Sequence, residues 1–356
     1  MAGITRFSFL AGGLAALATP VWAAPVRARS ASRIEERTIQ SKHFAHNKIG
    51  LGPERRISVY LPAGYDADAR HYPVIYFLPN LFDTDRNLFA DYAAQSVLDA
   101  AVDGGVIDPF ILVSADFSTP LGSSLYVNSP VTGNWEDYMV SELVPFIDKS
   151  YRTLTASTAR GVTGDRMGGH GAIRFGMKHP DIFGSVYALH PVGTGFGIQI
   201  MQGRPNWEIL SKATKLGDVK ADIFSQIFTA IYQAHLPNPD KAPLYIDLPA
   251  RRVNGQLVMD SGLTTRLQDS FFLERMIPRY AENLKRLRGF KFDWGRNDSN
   301  FDHVYSNQAF AHQLDEYGIA YEAEEYRGVW GERHWGMDGR VMTDLLPFFA
   351  HNLAFA

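Results

Sequence analysis

One turn, between residues 161 and 172, constrains the fold more than any other part of the sequence. It reads GVTGDRMGGHGA from Gly161 to Ala172. The residues before it favour a strand, and the residues after it lead directly into a helix, so the chain has to reverse within a very tight turn. Gly164 and Gly168 leave room for a strained backbone and a close neighbouring chain. The central residue, Arg166, is therefore expected to project its side chain over the end of a sheet.

Apolar runs and helical patterns alternate along most of the chain. Continuous apolar runs are typical of strands that are buried on both faces. The predicted strands are Ile57–Leu61, Val74–Leu78, Ile111–Ala115, Val186–Leu189, Phe290–Trp294 and Tyr321–Tyr326, and the predicted helices are Asn134–Lys149, the segment to about His179, Asn307–Tyr317 and the segment from Arg340. This alternation predicts an α/β fold, a mostly parallel sheet with helices on both faces. Residues 191–288 interrupt it and are predicted to be an insertion over the sheet.

The N-terminus has the layout of a bacterial signal peptide. Arg6 precedes an apolar run from Phe7 to Leu17, and small residues surround a cleavage site after Ala23. We therefore expect residues 1–23 to be removed, residues 24–54 to form a loose leader, residues 55–353 to form one domain, and the protein to be periplasmic or secreted. The alternative is an N-terminal membrane anchor or a buried helix, although the run is short for a membrane span.

Composition excludes several classes of site and partner. The chain contains no cysteine, so disulfides and thiol nucleophiles are excluded. The net charge of −3 gives no basic surplus that would indicate nucleic acid as a partner. We predict neither a cofactor nor a metal, and no membrane span in the mature chain.

Several motifs together resemble the esterase D-type branch of the α/β-hydrolases, which includes S-formylglutathione hydrolases, feruloyl and tributyrin-type esterases and mycolyltransferases. The resemblance covers nearly all of residues 55–353. It is carried by the stretch from Gly164 to Pro191 and by Tyr72–Tyr76, Tyr126–Pro130, Trp135–Tyr138, Lys178–Phe183 and Pro237–Asp240. It implies an α/β-hydrolase fold with an inserted, cap-like segment.

The resemblance also implies a set of site residues. The turn at residues 164–168 corresponds to the nucleophile elbow, where Arg166 replaces the family's serine. A guanidinium stays protonated and cannot attack a carbonyl. The N–H groups of Met167 and Leu81 correspond to oxyanion donors. Asp298, with Asp302 in reserve, corresponds to the acid, and His334 corresponds to the base.

Four departures from the family pattern are predicted to line one pocket. They are Arg166, the pair Pro79-Asn80, His170 and His190. We interpret them as a pocket rebuilt for another task, and the alternative is decay of a dead active site. His170 and His190 would then contact substrate, although each could instead be a structural histidine.

Three functions remain open at this point. The first is an enzyme that uses His334 and Asp298 and forms no acyl-serine. It would act as a hydrolase or a lyase on an ester, a lactone or a related small molecule. Arg166 would then contact an anionic group of the substrate or pair with an internal acid. The second is an inactive relative that binds a ligand. The third uses Asp165 as a displaced nucleophile. An apolar or aromatic part of the substrate is expected from candidate roof residues, namely Trp207, Phe228, Tyr232 and Phe271.

Overall fold

The computed structural model describes residues 30–197, 203–329 and 334–356, so the predicted signal peptide lies outside the described residues. Eight strands form one sheet in the order β1-β2-β4-β3-β5-β6-β7-β8. They are β1 Arg33–Gln40, β2 Glu54–Leu61, β3 Val74–Leu78, β4 Ile111–Ala115, β5 Arg160–Asp165, β6 Ser185–Leu189, β7 Gly289–Gly295 and β8 Glu322–Tyr326. The predicted α/β-hydrolase fold class, a mostly parallel sheet with helices, is confirmed.

Strand direction determines where functional side chains can meet. β2 runs antiparallel to β1 and to β4, whereas all the neighbouring pairs from β4 to β8 are parallel. The carboxyl ends of parallel strands lie at one edge of a sheet, which is where open α/β sheets bind ligands. The loops after β3, β5, β6 and β7 therefore converge on that edge.

Helices cover both faces of the sheet. The cluster on one face includes buried residues of α3, α4, α5, α9 and α10, and the cluster on the other includes residues of α1, α2 and α11. The helices are α1 Asp85–Ala90, α2 Ala94–Asp103, α3 Trp135–Asp137, α4 Val144–Ser150, α5 Met167–Lys178, α6 Trp207–Lys212, α7 Ile223–His235, α8 Ser261–Phe271, α9 Leu273–Leu284, α10 Phe301–Glu316 and α11 Leu346–Asn352. Single π-helical turns at Tyr138–Leu143 and Val341–Leu345 precede α4 and α11.

The predicted leader at residues 24–54 is wrong for its second half. Residues 33–40 form β1, which pairs along its whole length with β2. Ile39 is buried in the main core, and Arg33 forms ion pairs with Glu35 and Asp66. Only two of the eight residues of β1 are large and apolar, because an edge strand needs few apolar side chains. The apolar pattern that indicates a buried strand is therefore lacking in this segment.

The predicted insertion at 191–288 is too long at its carboxyl end. Five buried residues of α9, from Leu273 to Leu284, belong to the main core beneath the sheet. The described residues of 191–272 form the segment above the sheet, which we call the roof. Its described part contains α6, α7 and α8, a 3-10 helix at Leu216–Ala221 and a hairpin of Ala250–Val253 with Gln256–Met259. Most of its buried side chains form a separate hydrophobic cluster.

No helix among the described residues is both long enough and apolar enough to cross a bilayer.

Candidate active site

The tight turn has the geometry of a strained elbow. Arg166 follows β5 and precedes α5 with φ 53° and ψ −105°, a conformation that side-chain-bearing residues rarely adopt. A Cβ on Gly164 would lie 2.4 Å from the carbonyl carbon of Gly168, and a Cβ on Gly168 would lie 2.0 Å from the Leu78 carbonyl oxygen. Both positions therefore require glycine, and Arg166 lies at the centre of the elbow.

The Arg166 guanidinium is held by the residue that precedes it. Its Nη1 donates to Oδ2 of Asp165 at 2.9 Å, and the two side chains are only 18% and 13% exposed. Burial opposes the ionised form of Asp165, but the adjacent cations His334 and Arg166 outweigh it and lower the pKa of that carboxyl. An internal acid thus balances the buried guanidinium, as its desolvation requires.

His334 also faces Asp165, which corrects the predicted His334–Asp298 pair. Its Nε2 lies 3.1 Å from Asp165 Oδ1, within ion-pair distance. Neither ring nitrogen has a well-directed hydrogen bond to a described residue. Burial disfavours the charged imidazole, yet the Asp165 carboxylate outweighs it and raises the pKa of His334 above its ordinary value. The raised pKa favours the protonated ring and makes this histidine a better proton donor than a histidine with its ordinary pKa.

Asp298 gathers a different group of donors. Its Oδ2 accepts from His190 Nε2 at 3.0 Å and from His303 Nδ1 at 2.7 Å, while its Oδ1 accepts from the Asn300 N–H at 2.8 Å. Burial would raise the pKa of Asp298, but these hydrogen bonds, with His190 and His303 foremost, hold it well below its ordinary value. Both carboxylate oxygens are occupied, so Asp298 is fully engaged without His334.

Asp302, the reserve acid, has another partner. Its Oδ2 accepts from Nη2 of Arg204 at 2.8 Å. Arg204 belongs to the roof, so this contact ties α10 to the roof.

The predicted oxyanion donors lie beside Asn80. Asn80 Oδ1 lies 3.4 Å from the Met167 nitrogen, which donates to it. Leu81 and Met167 both line a cavity above the elbow. The Tyr126 hydroxyl donates to the Pro79 carbonyl and fixes the loop after β3. The side chain of Asn80 thus occupies the space in front of one N–H group that the family uses to bind an oxyanion.

The prediction that His170 and His190 contact substrate is wrong, because both side chains are fully buried. The Nδ1 of His170 lies 3.0 Å from the Val192 carbonyl, and its ring stacks on Phe271 at 5.1 Å. Burial lowers the pKa of His170 to about 3, so the ring is neutral. The structural interpretation is therefore the one supported for both histidines.

Two cavities meet at Arg166 and Asn80, which line both. The larger, about 350 Å³, is mostly apolar and lies under the roof. We call it the apolar cavity; Phe82, Phe196, Phe224, Phe228, Phe271 and Phe272 are among its wall residues, with Arg204 and His303. The smaller, about 250 Å³, is the polar cavity; it is lined by Phe77, Asp83, Asp91, Tyr92, Asp165, His334 and Trp335.

The four predicted roof aromatics divide into two groups. Phe228 and Phe271 line the apolar cavity. Trp207 and Tyr232 instead stack on each other at 6.4 Å inside the core of the roof. Spacing alone does not tell which side of a roof helix faces the cavity and which faces the other helices.

Comparison with known proteins agrees with this geometry. A family model described as "Putative esterase" matches residues 50–214. An esterase of Mycobacterium tuberculosis is 31% identical over 148 residues, covering 40% of this chain and 30% of that protein. An S-formylglutathione hydrolase of Arabidopsis thaliana is 28% identical over 170 residues, covering 43% of this chain and 57% of that protein. These matches span less than two thirds of the relatives' own lengths.

Solved structures extend the fold match to most of the chain. A ferulic acid esterase superposes with a TM-score of 0.59 at 19% identity, covering 91% of this chain and 100% of that one. An S-formylglutathione hydrolase of Agrobacterium tumefaciens gives 0.56 at 16% identity, covering 91% and 96%. Together these comparisons support the esterase D-type branch of the α/β-hydrolases as the group that this chain resembles.

The site residues predicted from sequence did not include His303 and Asn300. Both lie within five residues of Asp298, at the start of α10, and both contact Asp298. The signal was available, because a histidine five residues after a predicted catalytic acid falls in the first turn of the next helix. It was missed because the resemblance assigns the catalytic histidine to the loop after β8, at His334.

Proposed function

We propose that this α/β-hydrolase cleaves an ester, a lactone or a related small molecule without forming an acyl-serine. One observation carries the proposal: Arg166 occupies the centre of the elbow, where two cavities of opposite character meet. A carbonyl bound at this junction would lie beside a guanidinium, which stabilises the negative charge that develops on its oxygen.

The cavities suggest how a substrate would be placed. An apolar or aromatic acyl part fits the apolar cavity, whose walls include six phenylalanines. The leaving group would enter the polar cavity, where Asp83, Asp91 and Asp165 disfavour an anion. We therefore infer a neutral or cationic polar alcohol as the leaving group, and the anion that Arg166 contacts would be the developing oxyanion.

His334 is assigned the role of general acid in this proposal. Hydrolysis forms a bond from water oxygen to the carbonyl carbon and breaks the bond to the leaving oxygen, which must receive a proton. His334 lines the polar cavity with Arg166, and its raised pKa keeps more of it protonated at neutral pH. In lyase-type elimination the same proton would go to the leaving group.

Turnover of an ester and lactone panel by the purified protein would test the proposal. We expect aryl and medium-chain acyl esters to be the best substrates, and His334→Gln to lower kcat by about 100-fold, as for loss of a general acid. His312→Gln, at an exposed position of α10, serves as the control and should leave the rate unchanged. A fluorophosphonate probe should not label the wild type, and labelling of any serine would contradict the non-covalent mechanism.

A second candidate function, ligand binding without catalysis, is favoured by one contact. The Asn80 side chain lies against the Met167 N–H, where the family binds its oxyanion. If no ester or lactone is turned over but aromatic carboxylic acids bind in calorimetry, this second function replaces the first.

We also propose that the protein is exported. Cleavage after Ala23 would leave the described domain intact, since β1 begins at Arg33. Sequencing of the mature protein from its native host should give an N-terminus near Ala24, and full-length protein in the cytoplasm would contradict export.

A further inference from the structure

The proposed hydrolysis needs a base, and the group of residues around Asp298 contains a histidine that the mechanism has not used. His303 lies in the first turn of α10 and lines the apolar cavity together with Arg166. Asp298, which corresponds to the family's acid, contacts His303 and not the histidine after β8. His303 and His334 therefore line different cavities, each of which is also lined by Arg166.

The protonation of this cluster follows from its hydrogen bonds. The Gly295 N–H, which can only donate, lies 3.1 Å from His190 Nδ1. His190 therefore carries its proton on Nε2 and donates it to Asp298. His190, Asp298 and His303 are close enough to hold a cation, with ligand atoms within 4.8 Å of one another. The proton on His190 Nε2 argues against that use, because a metal needs a free lone pair there.

The tautomer of His303 is fixed in the same way. The Asp298 carboxylate only accepts, so His303 Nδ1 carries the proton at 2.7 Å. The Nε2 atom then holds a lone pair, and it lies 2.7 Å from Asn300 Nδ2, which donates to it. The orientation of the Asn300 amide is determined by Arg204, because Arg204 Nη2 donates to Asn300 Oδ1 at 2.8 Å. The structure thus presents a neutral, acid-oriented imidazole with a proton-accepting atom at the cavity wall.

We propose that His303, oriented by Asp298, is the general base that removes a proton from the attacking water on the apolar-cavity side of Arg166. This inference rests on the proposed hydrolytic function. The water proton passes to His303 Nε2 as the water oxygen bonds to the carbonyl carbon, and His334 gives its proton to the leaving oxygen. One proton is taken up and one is released, so the two histidines are returned to their starting states by exchange with solvent.

The Asn300 amide marks the direction from which a water proton would reach His303 Nε2. Its N–H group already donates to His303 Nε2 along the path that a water O–H would use. A water molecule that displaces this amide would be held by the same lone pair, close to the carbonyl carbon of a substrate bound at Arg166. Arg204, which holds the amide oxygen, connects this step to the roof.

Kinetics of His303→Gln, with the most active ester of the panel, test the assignment. We expect kcat to fall about 100-fold or more with little change in KM. Asp298→Asn should lower kcat by a smaller factor by misorienting the imidazole, and His312→Gln should match the wild type. A His303→Gln rate within threefold of the wild type, in a protein that turns over esters, would overturn the inference and leave the proposed function standing.

Nitrogen-15 NMR of the histidine rings gives a second measurement that does not depend on turnover. At pH 7 the His303 ring should be neutral with its proton on Nδ1, and Asp298→Asn should alter that signal and leave the His312 signal unchanged. A charged His303 or a proton on Nε2 would overturn the assignment. If the panel shows no turnover but the tautomer is as expected, the proposed function fails and His303 is a structural partner of Asp298, so the base inference fails with it.

Discussion

The two histidine–aspartate pairs, His303 with Asp298 and His334 with Asp165, are built differently. His303 has a directed hydrogen bond on each ring nitrogen, and its partner Asp298 is 1% exposed. Among the described residues, His334 has an ion-pair contact with Asp165 and no well-directed hydrogen bond. One imidazole is thus fixed in position and tautomer by its neighbours, whereas the other is held mainly by charge.

The difference shows why the expected triad did not form. Asp298 accepts hydrogen bonds from His190, His303 and the Asn300 N–H, whereas His334 lies against Asp165. Asp165, which lies one residue before the elbow centre, supplies the charge that His334 would otherwise lack. Arg166 at the elbow thus pairs with Asp165, and Asp298 and His334 each have a partner other than the one that the resemblance implies.

Removing Asp298 should produce the largest effect on stability. Asp298→Ala would leave one buried donor, His190, and two partly buried donors, His303 and the Asn300 N–H, without an acceptor, so we expect a loss of about 3–5 kcal/mol in the free energy of unfolding. Asp165→Ala should cost less, about 1–3 kcal/mol, because it removes one directed hydrogen bond, from Arg166, and an ion-pair contact with His334 that is not a directed hydrogen bond. Urea denaturation of both variants checks the difference, and equal losses would show that the two pairs are not as distinct as their contacts indicate.

Much of the scaffold was predictable from sequence. β3 and β4 begin and end where the apolar runs do, because strands buried on both faces need continuous apolar residues. The elbow was predictable because glycine is required on both sides of Arg166. The histidine that pairs with Asp298 was not predictable from sequence. Several loops meet near Asp298, and a small shift of one of them decides which imidazole reaches the carboxylate.

The next largest effect should come from Arg166→Ser. This change restores the family's elbow residue, yet Asp298 remains engaged with His303 and His334 remains turned to Asp165. We therefore expect native turnover to fall by about 100-fold or more, as when an oxyanion donor is lost, with no new covalent chemistry. Mass spectrometry after fluorophosphonate treatment checks the second part, since stoichiometric labelling of the new hydroxyl would show that the triad geometry had survived.

The pH dependence of stability should have opposite signs for His334 and His190. The raised pKa of His334 contributes stability that is fully present below the unfolded value of about 6.5 and is lost as pH rises through the folded value. Burial lowers the pKa of His190, so the unfolded chain binds a proton below about pH 6.5 that the native state does not. The stability lost in His334→Gln should be greater at pH 5 than at pH 8, and in His190→Gln greater at pH 8. Denaturation at both values checks this, and the same trend in both variants would rule out the assigned environments.

The smallest effect is expected at His170, one of the departures from the family pattern. His170→Phe keeps the ring that stacks on Phe271 and removes one hydrogen bond to the Val192 carbonyl. It also removes a buried Nε2 that has no hydrogen-bond partner among the described residues. The two changes oppose each other, so we expect a loss of about 1 kcal/mol in the free energy of unfolding. No charge is lost at neutral pH, because the pKa of this histidine is lowered to about 3. KM and kcat should therefore stay within twofold of the wild type, and a marked rise in KM would return His170 to the substrate-binding role that its sequence position first suggested.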